Sequence, residues 1–135
     1  MFLSVLMTSY NREQYIAEAI ESVLASTYTN FELIIVDDGS KDNTWEELQK
    51  FKAKYSEKVK LIKLSGNFGS YNAILAGMQH ATGDCNVIIS ADLQDPISLM
   101  PKMFAHWQKG IQLVMGNRED REDPFLSKVF ANTFQ

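Results

Sequence analysis

The stretch of sequence that decides the fold is Val87-Ile88-Ile89-Ser90-Ala91-Asp92-Leu93-Gln94-Asp95-Pro96. Its first three residues are apolar and β-branched, which predicts a strand buried on both faces of a sheet. Carboxylate and amide oxygens then follow at Asp92, Gln94 and Asp95. Such oxygens suit Mg²⁺ or Mn²⁺, which bind through one or two side chains together with waters and substrate phosphates. The alternative is structural: Asp92 and Asp95 cap the next helix and form a turn.

Outward from this strand, apolar β-rich runs alternate with amphipathic helical patterns. The predicted strands are residues 3–8, 31–36, 59–64, 87–89 and 111–115. Four helices are predicted between these strands, and the third has an apolar side made of Tyr71, Ile74, Leu75 and Met78. A further helical face near the end of the chain comprises Phe125, Leu126, Val129, Phe130 and Phe134. The pattern predicts an α/β fold, Rossmann-like, with a largely parallel sheet and helices on both faces in three α/β/α layers.

The chain of 135 residues is long enough for one domain, residues 1–135. A net charge of −4 argues against binding to nucleic acid through phosphate neutralisation. The one cysteine, Cys85, is interpreted as a core residue in a reducing compartment. Residues 1–7 are apolar but lack a basic segment and a cleavage-like site, so they are predicted to form a strand and not an export signal.

Polar segments follow every predicted strand, and we name these segments the carboxyl rim. They are residues 8–12, 37–40, 65–70, 90–95 and 116–121. In open α/β sheets, ligands bind beyond the carboxyl ends of the strands. Because a parallel sheet brings all these ends to one edge, the carboxyl rim favours a binding site over a set of unrelated turns.

The phosphate-binding glycine motifs of dinucleotide-binding and P-loop proteins are absent from the sequence. A metal at Asp92, assisted by Arg118 or Arg121 and by helix N-termini, could neutralise a phosphate instead. The alternative for the two arginines is a solvated loop of mixed charge. Asp37 can accept a hydrogen bond from a base N–H, and the ring of Tyr10 can stack on a base. The alternative there is a simple turn.

Several motifs resemble the inverting family 2 glycosyltransferases of GT-A fold. They lie at residues 8–11 (TSYN), 19–24 (AIESVL) and 31–44 (FELIIVDDGSKDNT). Others resemble the branch of dolichyl- and polyprenyl-phosphate glycosyltransferases, namely residues 67–69, 81–84, 91–96 and 116–118. The resemblance covers essentially the whole chain. It implies a nucleotide-sugar-binding GT-A domain that ends before the acceptor-binding half of the enzyme.

Site residues follow from the resemblance position by position. The implied nucleotide-binding residues are Thr8, Tyr10, Asp37, Asp38, Asn67, Gly69, Ser90 and Ala91. Asp92 matches the second acid of the metal-binding D-x-D motif and Gln94 its neighbouring ligand, with Mg²⁺ or Mn²⁺ as the cofactor. Asp92 and Arg118 are the implied catalytic residues, and Arg121 lies near the same phosphates. The first acid of the motif is Ser90 here, which removes one carboxylate.

The expected reaction is transfer of a sugar from a nucleoside-diphosphate sugar to an acceptor with inversion. A uridine donor is favoured over guanosine and thymidine donors, and the acceptor is a saccharide or a lipid phosphate such as polyprenyl phosphate. Such transferases serve cell-wall or polysaccharide synthesis in the cytoplasm, including the inner face of the membrane. A domain that binds nucleotide without catalysis remains the alternative, as does an interaction domain with no nucleotide role. The terminal apolar face could dock on the missing half, lie at a membrane or pair with another copy as a homo-oligomer.

Overall fold

The computed structural model describes residues 1–94 and 96–116. Its strands are β1 (Leu3–Ser9), β2 (Phe31–Asp37), β3 (Val59–Lys63) and β4 (Cys85–Ser90). Its helices are α1 (Ile16–Leu24), α2 (Thr44–Lys54), α3 (Ser70–Gln79) and α4 (Leu99–Gln108). All four strands are parallel, in the order β3-β2-β1-β4. The predicted α/β fold is confirmed.

Helices cover both faces of the sheet, as the three-layer prediction requires. On one face, α1, α2 and α4 bury the alternate residues of β1, Leu3, Val5 and Met7. On the other face, α3 packs on β1 and β2 over a smaller core that includes Leu6 and Ile34. The carboxyl ends of β1, β2 and β4 therefore lie between two helical layers of unequal size.

The apolar side predicted for α3 is wrong. Tyr71, Leu75 and Met78 are 83%, 57% and 43% exposed, and α3 instead buries Ala73 and Gly77 against the sheet. The backbone of α3 lies very close to the sheet, because a Cβ atom added at Gly77 would lie 2.9 Å from Cδ2 of Leu6. Small residues allow that approach, so the larger apolar side chains face outward.

Two predictions for β4 and the segment beside it are also wrong. Ile88 is 49% exposed, so β4 is not buried on both faces. The cause is that β4 lies at the edge of the described sheet while α3 covers β1 and β2. Residues 111–115 form no strand: an open groove of about 350 Å³ lies between β4 and residues 112–116, and that backbone has no sheet partner among the described residues.

At the amino ends of the strands, Glu32 organises a buried polar cluster. It is 3% exposed, and its Oε1 accepts hydrogen bonds from the Ser4 hydroxyl (2.6 Å) and from the backbone N–H of Thr82 (2.7 Å). Its Oε2 lies 2.5 Å from Nζ of Lys60. These partners lower the pKa of Glu32 to about 2, although burial alone would raise it. The cluster holds the turn after α3 to the sheet, at the edge opposite the carboxyl rim.

Within residues 1–94 and 96–116, no helix is long and apolar enough to cross a bilayer. Asp95, Arg118, Arg121 and the apolar face predicted at residues 125–134 lie outside the described residues.

Candidate functional site

The strand register assembles the centre of the carboxyl rim from three neighbouring strands. Ser9 at the end of β1 pairs with Asp37 at the end of β2, and Thr8 pairs with Ser90 at the end of β4. The backbone N–H of Ala91 donates to the Thr8 carbonyl at 3.3 Å. The expected site segments of β1, β2 and β4 therefore lie side by side.

Asp37 is fully buried at this edge. Its Oδ1 accepts the hydrogen bond of the Ser40 hydroxyl, whereas its Oδ2 has no hydrogen-bond partner among the described residues. The hydroxyl of Ser9, its register neighbour, is also buried without a partner there. An unpaired buried polar atom costs free energy, so two adjacent ones indicate a place for a ligand with complementary polar groups.

Burial raises the pKa of Asp37, because a charged carboxylate loses its hydration there. Hydrogen bonds from the hydroxyl and backbone N–H of Ser40 oppose this shift, and so does the positive charge of Lys63. A hydrogen-bond donor brought to Oδ2 by a ligand would favour the ionised form further.

Asp38 holds the loop that follows β3. Its two carboxylate oxygens accept the backbone N–H groups of Phe68 (2.8 Å) and Gly69 (3.1 Å), and Oδ1 of Asn67 also accepts the Gly69 N–H at 3.2 Å. Gly39 has φ +74°, and a Cβ there would lie 2.4 Å from the carbonyl carbon of Gly66. The Asp38-Gly39 pair is thus needed to bring the loop containing Asn67 and Gly69 up to β2.

Hydrogen bonds also join the loops after β1 and β2. The backbone N–H of Asn11 donates to the Ser40 hydroxyl at 2.9 Å, and Oδ1 of Asn11 accepts the Lys41 N–H at 2.8 Å. Asn11 has φ +49°, a left-handed conformation that asparagine tolerates better than most residues. Tyr10, directly before it, is partly exposed, as a ring that stacks on a ligand must be.

The turn after β4 carries the proposed metal ligands. Asp92 is partly exposed, and its Oδ1 accepts the Gln94 N–H at 3.1 Å. Leu93 between them has φ +63°, a strained conformation for leucine of the kind that concentrates at functional sites. No group of three or more metal-ligating His, Cys, Asp or Glu side chains occurs within the described ranges. This donor set suits a hard cation shared with ligand phosphates, because such ions need only one or two protein carboxylates.

Two candidate residues, Ser9 and Ser40, were missed by the sequence reasoning. Serine at the end of a strand or in a D-D-G-S turn usually indicates a local turn hydrogen bond. The missing signal was register: only the pairing of β1 with β2 shows that Ser9 lies beside Asp37.

The sequence profile of the glycosyl transferase family 2 matches residues 4–133 of the chain. The chain belongs to this family. One similar protein is the uncharacterized glycosyltransferase YkcC of Bacillus subtilis (strain 168). It is 38% identical over 135 residues, which cover 97% of this chain and 42% of YkcC. Another is the undecaprenyl-phosphate 4-deoxy-4-formamido-L-arabinose transferase of Shewanella sediminis, 33% identical over 94% of this chain and 39% of that enzyme. This family 2 chain spans about two fifths of these relatives.

Solved structures confirm the GT-A fold of this family 2 chain. S. aureus TarS 1-349 in complex with UDP-GlcNAc is 25% identical, with a TM-score of 0.69 over 92% of this chain and 37% of that one. The mannosyltransferase PcManGT from Pyrobaculum calidifontis, in complex with GDP-Man and Mn²⁺, is 23% identical, with a TM-score of 0.69 over 78% of this chain and 31% of that one. The resemblance stated from the sequence motifs is therefore confirmed.

Proposed function

We propose that this family 2 domain binds a nucleoside-diphosphate sugar at the carboxyl rim and is the donor-binding part of an inverting glycosyltransferase. The observation that carries the proposal is Oδ2 of Asp37, a buried carboxylate oxygen with no partner among the described residues. An acceptor-only atom at the end of a strand is satisfied by a ring N–H of a base. S. aureus TarS, which shares the fold, has been crystallised with UDP-GlcNAc, and the Pyrobaculum protein with GDP-Man, which supports a nucleoside-diphosphate sugar as the donor; we propose a uridine donor.

In this proposal, Asp37 accepts the ring N–H while the hydroxyl of Ser9 donates to a carbonyl beside it. Tyr10 stacks on the base. The ribose and the diphosphate would lie between the base site and the Asp92 turn. The residues there are Thr8, Ser90 and Ala91. Asp38 shapes the site through the loop of Asn67 and Gly69.

A divalent cation is part of the proposal, because Asp92 and Gln94 offer hard oxygen ligands at the end of β4. Asp92 and Gln94 would hold Mg²⁺ or Mn²⁺ jointly with the donor phosphates, and the ion would supply charge to stabilise the departing nucleoside diphosphate. The Pyrobaculum protein of the same fold has been crystallised with Mn²⁺ and GDP-Man. Arg118 is proposed to contact the same phosphates.

The reaction we propose is a single displacement at the anomeric carbon. An acceptor oxygen forms the new bond from the face opposite the leaving group, and the bond to the diphosphate oxygen breaks, so the configuration inverts. The Shewanella relative is named for an undecaprenyl-phosphate substrate, which supports a polyprenyl-phosphate acceptor. That acceptor in turn favours the cytoplasmic face of a membrane and a role in the synthesis of cell-wall or surface saccharides.

Ser90 favours a second candidate, a domain that binds nucleotide without transferring sugar. It stands where the D-x-D motif has its first acid, and its side chain is exposed at the rim. The loss of one carboxylate weakens cation binding. Nucleotide binding could therefore persist although sugar transfer is lost.

Titration calorimetry with UDP-GlcNAc and MnCl₂ tests the proposal through Asp92→Asn. We expect the variant to lose most of the manganese dependence of binding, because a neutral amide is a poorer cation ligand than a carboxylate. The matched control is Asp84→Asn, since Asp84 lies at the opposite edge of the sheet and bonds to Phe2. Equal manganese dependence in the wild type and Asp92→Asn would refute the metal site, and a wild type that binds none of UDP, TDP and GDP would refute donor binding by this chain.

A further inference from the structure

The two oxygens of the Asp37 carboxylate have different surroundings. Oδ1 accepts the Ser40 hydroxyl, and Oδ2 is buried without a partner in the described part of the chain. The Ser40 oxygen accepts the backbone N–H of Asn11 at 2.9 Å. We name these two hydrogen bonds the Asn11–Ser40–Asp37 relay.

The direction of the relay is fixed from its outer end. A backbone N–H can only donate, so the Ser40 oxygen acts as acceptor towards Asn11 and its single proton remains for Asp37. The loop at Asn11 is held independently, because Oδ1 of Asn11 accepts the backbone N–H of Lys41 at 2.8 Å. The Ser40 hydroxyl therefore donates a hydrogen bond at the position of Oδ1, whether residue 37 is aspartate or asparagine.

We propose that Ser40 is a positioning residue which, through the Asn11–Ser40–Asp37 relay, holds the Asp37 carboxylate with Oδ2 towards the base and thereby strengthens the selection of nucleobases with a ring N–H over those with a ring-nitrogen acceptor. The inference rests on the proposed function, because it assigns the base specificity of that same site. Uracil, thymine and guanine present an N–H to Oδ2. Cytosine and adenine present a lone pair, which repels Oδ2 and leaves a buried acceptor unpaired.

The relay makes an unusual prediction for Asp37→Asn. An asparagine side chain has the same shape but one acceptor oxygen and one donor nitrogen. The Ser40 hydroxyl must bond to the amide oxygen, so that oxygen takes the Oδ1 position and the NH₂ group takes the Oδ2 position. The group facing the base then donates, and it pairs with N3 of cytosine. The variant should therefore change its preference from uridine to cytidine.

The experiment is titration of UDP and CDP, each with MnCl₂, into the wild type, Asp37→Asn and Asp37→Asn/Ser40→Ala. We expect the wild type to prefer UDP and Asp37→Asn to prefer CDP, each by roughly ten- to a hundredfold, the range for a hydrogen bond to a buried or charged group. Removing the Ser40 hydroxyl leaves only the backbone N–H of Ser40 to hold the amide oxygen, so the double variant should show a clearly smaller preference for CDP than Asp37→Asn. Asp42→Asn, a change of equal charge in the same loop, should keep the preference for UDP.

Ser40 variants with Asp37 intact give a second measure if Asp37→Asn does not fold. Ser40→Ala should weaken UDP binding roughly tenfold, and Ser40→Thr, which keeps a hydroxyl, should restore it. Folded Asp37→Asn that still prefers UDP, a double variant whose preference for CDP is as large as that of Asp37→Asn, or Ser40→Ala with unchanged UDP affinity would each overturn the relay. A wild type that binds none of UDP, TDP and GDP would instead overturn the proposed function.

Discussion

At the scale of single residues, the ends of β1 and β2 carry two unpaired buried polar atoms, whose cost in free energy the proposed ligand would offset. Ser9 and Asp37 are buried side by side, each with an unpaired atom among the described residues. Asp37 could be predicted from the sequence, because a carboxylate directly after an apolar strand is conspicuous. Ser9 could not be, because which strands are neighbours, and in what register, is settled by packing of the whole sheet.

Replacement of Ser9 by alanine should separate stability from binding. Its hydroxyl has no partner, so Ser9→Ala should leave the free energy of unfolding unchanged or raise it by up to about 1 kcal/mol. UDP affinity should fall several-fold, because the variant cannot donate to the base carbonyl. Urea unfolding and UDP titration measure the two effects.

Ser4→Ala, on the same strand, is the matched control. Ser4 is buried and donates to Glu32 while accepting the Gly83 N–H, so its loss should cost about 1–3 kcal/mol without affecting UDP binding. A Ser9→Ala variant that behaves like Ser4→Ala would show that Ser9 serves the fold and not the ligand.

At the scale of elements, the sequence predicted the four strands of the described sheet and all four helices, and it failed where burial depends on what lies outside an element. The helical period of α3 was visible, but its buried face was not, since hydrophobic side chains usually mark the inner side. Gly77 and Ala73 pack inward because α3 lies very close to Leu6. Residues 111–115 resemble a strand in composition yet have no sheet partner among the described residues.

Substitutions on α3 test its inverted packing. Gly77→Ala should destabilise the protein by about 1–2 kcal/mol despite alanine's higher helix propensity, because the new methyl group would lie 2.9 Å from Leu6. Met78→Ala, next to it on the exposed side, should change stability by less than about 0.5 kcal/mol. Chemical denaturation measures both, and the reverse ranking would mean that α3 buries its larger apolar residues.

The cluster around Glu32 predicts a pH dependence of stability. Its pKa is lowered to about 2 from an ordinary value of 4.5. The ionised form therefore stabilises the fold fully above about pH 4.5, and this contribution is lost as the pH falls towards 2. The shift corresponds to about 3 kcal/mol at neutral pH.

Glu32→Gln should therefore be less stable than the wild type by about 2–3 kcal/mol at pH 7, and the difference should shrink as the pH falls from about 4.5 to 2. Urea midpoints across this range are the measurement, with Glu57→Gln, an exposed site between α2 and β3, as the control. A difference that does not change with pH would contradict the role assigned to the Glu32 charge.

At the scale of the whole molecule, the chain belongs to family 2 and covers about two fifths of the YkcC and Shewanella relatives. The topology was predictable, because strands that alternate with helices have few arrangements. That topology places the rim segments after β1, β2, β3 and β4 at one edge of the sheet, whereas the strand order β3-β2-β1-β4 did not follow from the sequence. The exposure of Ile88 and Leu75 did not, because an apolar residue in a sequence does not reveal whether a neighbouring element covers it.

The measurement that tests the central claim most directly is an amide NMR titration of the labelled chain with UDP and Mg²⁺. We predict chemical-shift changes concentrated at the carboxyl rim, in the loops that contain Ser9, Ser40 and Ala91. Replacing Mg²⁺ with Mn²⁺ should broaden the signals around Asp92, because a paramagnetic ion would sit there. Changes centred on the opposite edge of the sheet around Thr82, or no changes at millimolar nucleotide, would contradict the claim that this rim holds the donor.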